Sequence, residues 1–280
     1  MWKCTRMILL VHSSRDIAGV NIAKSILQQF PFAKTNQTFQ ENPVYQAQIN
    51  GKQVTCITLK EEAVNAQNLP ETFPTAELVV FLSRHSSQSG TPTLSVHTPG
   101  NLGKAELGGL PRSVSVSPAN AMQTALKALN RLKQEMKLDY EVSYECTHHG
   151  PSLLVPAMFV ELGSSEKQWS DQTAATAVAK AAMEAIADFG NTNHTAVLGI
   201  GGTHYNQKFT QMALDGEAVF GHIIPKYAIP LVDSEILMQC VQRTQEKVES
   251  AILNWKGIKS EHKPTLLASL AEIGLPTTKA

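Results

Sequence analysis

Short apolar runs of strand character alternate with amphipathic stretches of helical period along most of this chain, and that alternation restricts the fold more than any other feature. An apolar run over 6–12 is followed by Asp16, a natural N-cap. Ile17, Val20, Ile22, Ile26 and Leu27 then line one side of a helix that reaches about Phe30. The runs 44–49 and 53–59, separated by Asn50-Gly51, predict a β-hairpin, because Asn-Gly suits both left-handed positions of a type I′ turn. A buried strand is expected over 78–82, and a helix that opens at Ser117-Pro118 and runs to about Lys137. Strands over 140–146 and 157–162 precede an alanine-rich helix over 170–189. A strand over 195–200, a short helix over 205–214 and a long amphipathic helix over 234–255 complete the pattern. Nothing reads as a linker, an internal repeat or a low-complexity tail. The expectation is therefore one three-layer α/β/α domain with a mixed sheet over 1–280.

Bulk properties narrow the function less than the fold. A chain of 280 residues with 42% hydrophobic content can bury a substantial core. Lys plus Arg and Asp plus Glu both number 24, so any polyanionic partner must be met by a local basic patch. Lys127, Arg131, Lys133 and Lys137 on one helix, or Lys256, Lys259 and Lys263 nearer the C-terminus, are candidates, although such residues also read as solvated surface. Cys4, Cys56, Cys146 and Cys240 are widely spaced and the N-terminus has no signal-peptide pattern, which predicts a reducing, cytoplasmic setting. No run approaches the roughly 20 apolar residues of a membrane span.

Histidines carry the functional signal. In Glu145-Cys146-Thr147-His148-His149-Gly150-Pro151, a carboxylate and two adjacent imidazoles leave a strand where Gly and Pro force a turn, and strand ends are where α/β proteins form sites. Ser83-Arg84-His85, Val96-His97 with Gly100-Asn101, Gly201-Gly202-Thr203-His204-Tyr205 and Gly221-His222 share that context. The glycine-rich stretch 99–111 is expected as an ordered loop over the site. His12, His194 and His262 read as structural or surface residues. Imidazole nitrogens and carboxylate oxygens bind zinc at neutral pH, and His148, His204 and His222 with Glu145 or Glu161 would make such a set. No tight motif such as H-E-x-x-H supports it, and a metal-free histidine base oriented by a carboxylate is the alternative. Gly199-Ile200-Gly201-Gly202 follows a strand and precedes a helix, so it reads either as an anion cradle or as a packing turn.

These segments, together with Asp16 to Asn21, Phe159-Val160-Glu161-Leu162-Gly163-Ser164 and Pro225-Lys226-Tyr227, resemble in one order the archaeal and plant type of D-aminoacyl-tRNA deacylase, a zinc-dependent family. The resemblance covers nearly the full length. Asn206-Gln207 departs from it, where Ala-Pro is expected after the His-Tyr pair. The resemblance implies a phosphorylase/hydrolase-like α/β fold and hydrolysis of the ester between a D-amino acid and the terminal adenosine of tRNA, releasing the D-amino acid and free tRNA. From the chemistry of the residues, the expected metal ligands, for one or two zinc ions, are Glu145, His148, His204 and His222. His149 and Glu161 are expected to be catalytic. Ser83, Arg84, His85, His97, Asn101, Gly201, Gly202, Lys226 and Tyr227 are expected to bind substrate. A monomer is expected, with no membrane partner. A nucleoside phosphorylase-like transferase and a noncatalytic tRNA- or nucleotide-binding module are the rival readings.

Overall fold

The computed structural model describes residues 6–191 and 193–280; Cys4 lies outside them. β1 (Met7–Ser13) is buried on both faces and lies parallel between two neighbours, as a continuous apolar run such as Ile8-Leu9-Leu10-Val11 requires. Asp16 caps α1 (Ile17–Gln29) by accepting a hydrogen bond from the Gly19 N–H. β2 (Ala33–Phe39), β3 (Asn42–Ile49) and β4 (Lys52–Leu59) form an antiparallel meander, and Asn50 and Gly51 turn the predicted hairpin with φ of 48° and 77°.

After the short helix α2 (Leu69–Thr72), β5 (Ala76–Ser86) runs parallel to β1. β6 (Thr93–His97), β7 (Gly100–Asn101), β8 (Ser113–Val114), α3 (Ala119–Glu135), β9 (Glu141–Tyr144) and β10 (Ala157–Ser164) follow. The large sheet has eight strands in the order β2-β3-β4-β1-β5-β10-β6-β9 and is mixed, with β6 antiparallel to β10 and parallel to β9. α4 (Glu166–Trp169) leads to α5 (Gln172–Asp188), whose buried face is mostly alanine, with Val178, Met183 and Ile186. Small side chains let α5 pack closely against α1 and α3 on one face of the sheet. Phe73, Phe81, Leu153 and Phe159 belong to the core on the other face.

The remaining elements build a second, parallel sheet of four strands, order β12-β11-β13-β14, instead of extending the first. They are β11 (Ala196–Ile200), α6 (Gln207–Leu214), β12 (Phe220–Ile224), α7 (Ser234–Gln242), β13 (Val248–Leu253), α8 (Lys263–Glu272) and β14 (Thr277–Lys279). Here the expectation of one helix over 234–255 is corrected. α7 ends at Gln242, and Arg243 donates from its guanidinium to the Val114 carbonyl and the Ser113 hydroxyl. The chain then adds Ala251, Ile252 and Leu253 to the ladder between β11 and β14. The pairing partners, remote in sequence, override a local pattern that also fits a helix.

Candidate active site

Five strand ends converge where the two sheets meet. Beyond β9, Glu145 donates its N–H to the Val96 carbonyl, Cys146 to that of His204 and Thr147 to that of Ile223, so this segment is tied to both sheets. His149 is held at φ 43°, a left-handed conformation that is uncommon for a non-glycine residue, and the Gly100 N–H donates to its carbonyl at 2.6 Å. Gly150 is required next to it, since a Cβ there would lie 2.2 Å from the Gly109 nitrogen. Parallel pairing sets Glu161 beside Ser83 and Gly163 beside His85, while β6 places His97 opposite Phe159.

Three groups of side chains result, with potential ligand atoms within 4.8 Å of one another: His97, His148 and His149; Cys146, His148 and His204; and His85, Glu145 and Glu161. Glu145 is at the centre. Its Oε2 lies 2.8 Å from His204 Nε2 and 3.7 Å from His148 Nε2, and its Oε1 lies 3.1 Å from His85 Nδ1, an ion-pair contact whose angle falls short of a hydrogen bond. His85 Nδ1 is also 3.7 Å from Glu161 Oε2, and its Nε2 is 2.8 Å from the Tyr205 hydroxyl. His204 Nδ1 meets Cys146 Sγ at 3.2 Å and the Tyr227 hydroxyl at 3.1 Å.

Charge is divided within this cluster. Burial opposes a proton on His85, but Glu145 and Glu161 outweigh it and raise its pKa to about 10. Burial likewise opposes a charged His204, and Cys146 and Glu145 raise it to about 10. Glu145, although buried, is held well below the usual carboxylate range by His204 and His85. Burial pushes Glu161 up to about 7; His85 pulls it down and the Glu145 charge adds to the rise. Burial lowers His97, His148 and His149, and mutual repulsion adds to it at His97 and His148. Neutral imidazole is the form that binds a metal.

His97 is the clearest case. It is 1% exposed, neither ring nitrogen has a hydrogen-bond partner among the described residues, and its ring centroid lies 4.3 Å from that of His148 and 4.9 Å from that of His149. His148 donates from Nδ1 to the Cys146 carbonyl and His149 from Nδ1 to the Gly150 carbonyl, which leaves a lone pair on Nε2 of each. A buried imidazole with two orphaned nitrogens beside two such lone pairs fits a bound cation.

The expected residues divide accordingly. Glu145, His148, His149, His204, His85, His97 and Glu161 are brought together. His222 is not: it is fully buried, with Nδ1 3.1 Å from the Thr147 hydroxyl and Nε2 donating to the Arg243 carbonyl at 3.0 Å, so both nitrogens are occupied behind the loop. Ser83 and Arg84 line a recess next to the cluster, where Arg84 pairs with Glu62 at 3.2 Å. Asn101 Nδ2 donates to the Gly108 and Leu110 carbonyls and shapes the 99–111 loop. Gly201 and Gly202 form a positive-φ turn packed on Asn206 and Asn254, and the Gly201 N–H is used by the Ile224 carbonyl, so this turn packs elements together and its first N–H is already committed. Asn206, the departure from the expected Ala-Pro, caps α6 and donates to the Gly201 carbonyl. Lys226 is exposed beside Tyr227.

Cys146 and Tyr205 were missed as site residues, though both sit inside the segments singled out and Cys146 lies between Glu145 and His148. The basic patch on α3 precedes β9, whereas the site follows it; Arg131 is moreover tied to Glu135 and Glu184. Lys263 stacks on Trp255 at 4.3 Å. Among the described residues no helix is long and apolar enough to cross a membrane.

Comparison with known proteins gives this geometry a context. The model of the family described as D-aminoacyl-tRNA deacylase matches residues 72–278. D-aminoacyl-tRNA deacylase of Thermococcus kodakarensis is 36% identical over 275 residues, covering 96% of this chain and 98% of its own. That of Pyrococcus abyssi is 35% identical over 279 residues, covering 98% and 100%. A crystal structure described as a conserved protein of unknown function superposes with a TM-score of 0.87 at 31% identity, over 98% of this chain and 95% of that one. The chain therefore belongs to the D-aminoacyl-tRNA deacylase family.

Proposed function

We propose that this protein hydrolyses the ester linking a D-amino acid to the terminal adenosine of tRNA, with one zinc ion held by His97, His148 and His149. The observation that carries the metal assignment is the orphaned His97 imidazole against two histidines with free Nε2 lone pairs. His148 has a single free nitrogen, so the group with His97 and His149 competes with the group containing Cys146 and His204 for it. When bound, zinc would supply Lewis acidity and a water acidified toward neutral pH. His149, expected in proton transfer, thus becomes a ligand, and Glu145, expected as a ligand, becomes the carboxylate that orients His85 and His204.

Glu161 is the proton-transfer group. It faces the same recess as His148 and His149, is fully buried, and has a pKa near 7, where a base is both available and effective. His85, charged and bonded to Tyr205, holds Glu161 in place. The phosphorylase-like rival needs a phosphate cradle, and here the Gly201 N–H is committed and Arg84 is paired with Glu62. A cytoplasmic setting suits the buried free thiols of Cys56, Cys146 and Cys240.

Matched D- and L-aminoacyl-tRNAs, incubated with purified protein with and without chelator, test the reading. Release of the D-amino acid only, abolished by chelation and restored by zinc, is the expected result. Equal hydrolysis of both enantiomers would refute the proofreading role, and full activity of metal-free protein would refute the metal.

A further inference from the structure

The histidine cluster stands between two recesses of different lining that share His148, His149 and Leu107. One, of about 550 Å³, is walled by Leu102, Leu107, Pro225, Tyr227, Ala228 and Leu231, with the exposed Lys104 and Glu106 also in its lining. The other, of about 350 Å³, carries Glu62, Ser83, Arg84, Ser86 and Glu161. Leu107, Tyr227 and Leu231 are 56%, 57% and 52% exposed, so the rim of the larger recess holds large side chains that the core does not use.

An aminoacyl ester has two arms of the same contrast. One arm is the amino-acid side chain, variable and often apolar; the other is ribose with its hydroxyls, the base and the phosphate chain. Resting on the deacylase reading, we infer that the ester lies across the His148–His149 wall with the amino-acid side chain in the apolar recess and the terminal nucleoside in the polar one. Arg84 and Glu62 then face the ribose hydroxyls, to which a guanidinium donates and from which a carboxylate accepts. The apolar recess has room for an aromatic side chain and no buried charge that would reject one. With both arms fixed in this way, inverting the α-carbon exchanges only its amino group and hydrogen. Handedness is therefore read at the shared wall, and side-chain size is read separately in the apolar recess.

Leu231→Trp narrows the apolar recess at a position exposed enough to leave the fold intact, and Leu231→Ala widens it. Kinetics with D-tyrosyl-tRNA and D-alanyl-tRNA should show kcat/KM falling at least about tenfold more for the tyrosyl substrate in the Trp variant, the scale on which apolar pockets discriminate size. The Ala variant should leave that ratio near or above the wild-type value. An equal fall for both substrates would overturn the assignment by placing the nucleoside in the apolar recess, and no change for either would overturn it by placing the recess outside the site. Binding of the stable amide analogues, 3′-D-tyrosylamino- and 3′-D-alanylamino-3′-deoxyadenosine, supplies the same comparison without turnover. A tyrosyl-specific loss of binding in the Trp variant sustains the subsites even if wild-type hydrolysis fails, which separates this inference from the reading beneath it.

Discussion

β6 and β12 each bury one histidine almost completely, and the two residues have opposite standing. His97, at the end of β6, has both ring nitrogens unpartnered and is surrounded by His148, His149 and Phe159. His222, in β12, has both nitrogens occupied by Thr147 and the Arg243 carbonyl. Burial lowers the pKa of each, so burial and titration do not distinguish them. The hydrogen-bond account does: a buried imidazole that is already satisfied braces a loop, and one with unused nitrogens keeps the capacity to bind a further group.

The strongest way to break this contrast is to delete the two rings. His97→Ala should lose bound zinc and about 10⁴-fold in kcat/KM, since a Lewis acid contributes several kcal/mol to the transition state. His222→Asn should keep its zinc. Elemental analysis of both variants decides; metal loss in the second and not the first would reverse the assignment.

Glu161→Gln sharpens the picture at the catalytic end. Zinc should stay while the rate falls roughly 10²–10⁴-fold. Because the ionised carboxylate is the base, wild-type rate should rise as pH passes through about 7, and the variant should lose that rise. A variant with an unchanged pH profile would take Glu161 out of proton transfer.

At the structural end, His222→Asn should cost about 1–3 kcal/mol in urea unfolding at neutral pH, as buried partners of the ring are left unsatisfied. A cost near zero would mean that His222 does not brace the loop.

The difference between His222→Asn and wild type is most gradual in acid stability. His222 and His12 have pKa values lowered to about 4 from 6.5, because burial disfavours their charged form. Between those values the unfolded chain binds more protons than the folded one. Stability is therefore full above about 6.5 and declines as pH falls toward 4, by up to about 3 kcal/mol for each residue. Urea midpoints measured across that window should fall less steeply for His222→Asn than for wild type. Equal slopes would show that His222 does not contribute to the acid limb.

Local chemistry made much of this protein legible from its residues. Asp16 as a cap, Asn50-Gly51 as a turn and the buried runs of β1 and β10 follow from side-chain shape and hydrogen-bonding capacity within a few positions. Glu145 to Pro151 could likewise be recognised as a site, since its polar groups leave a strand where the backbone must turn. Tertiary structure alone decided whether 234–255 was a helix or a helix and a strand, because the ladder to β11 and β14 depends on residues far away in the chain. It also decided which histidines share a site. The sequence shows that His97 and His222 each follow an apolar run, but a ring nitrogen is spent or left free by partners such as Thr147 and Arg243, and only folding brings those partners within reach.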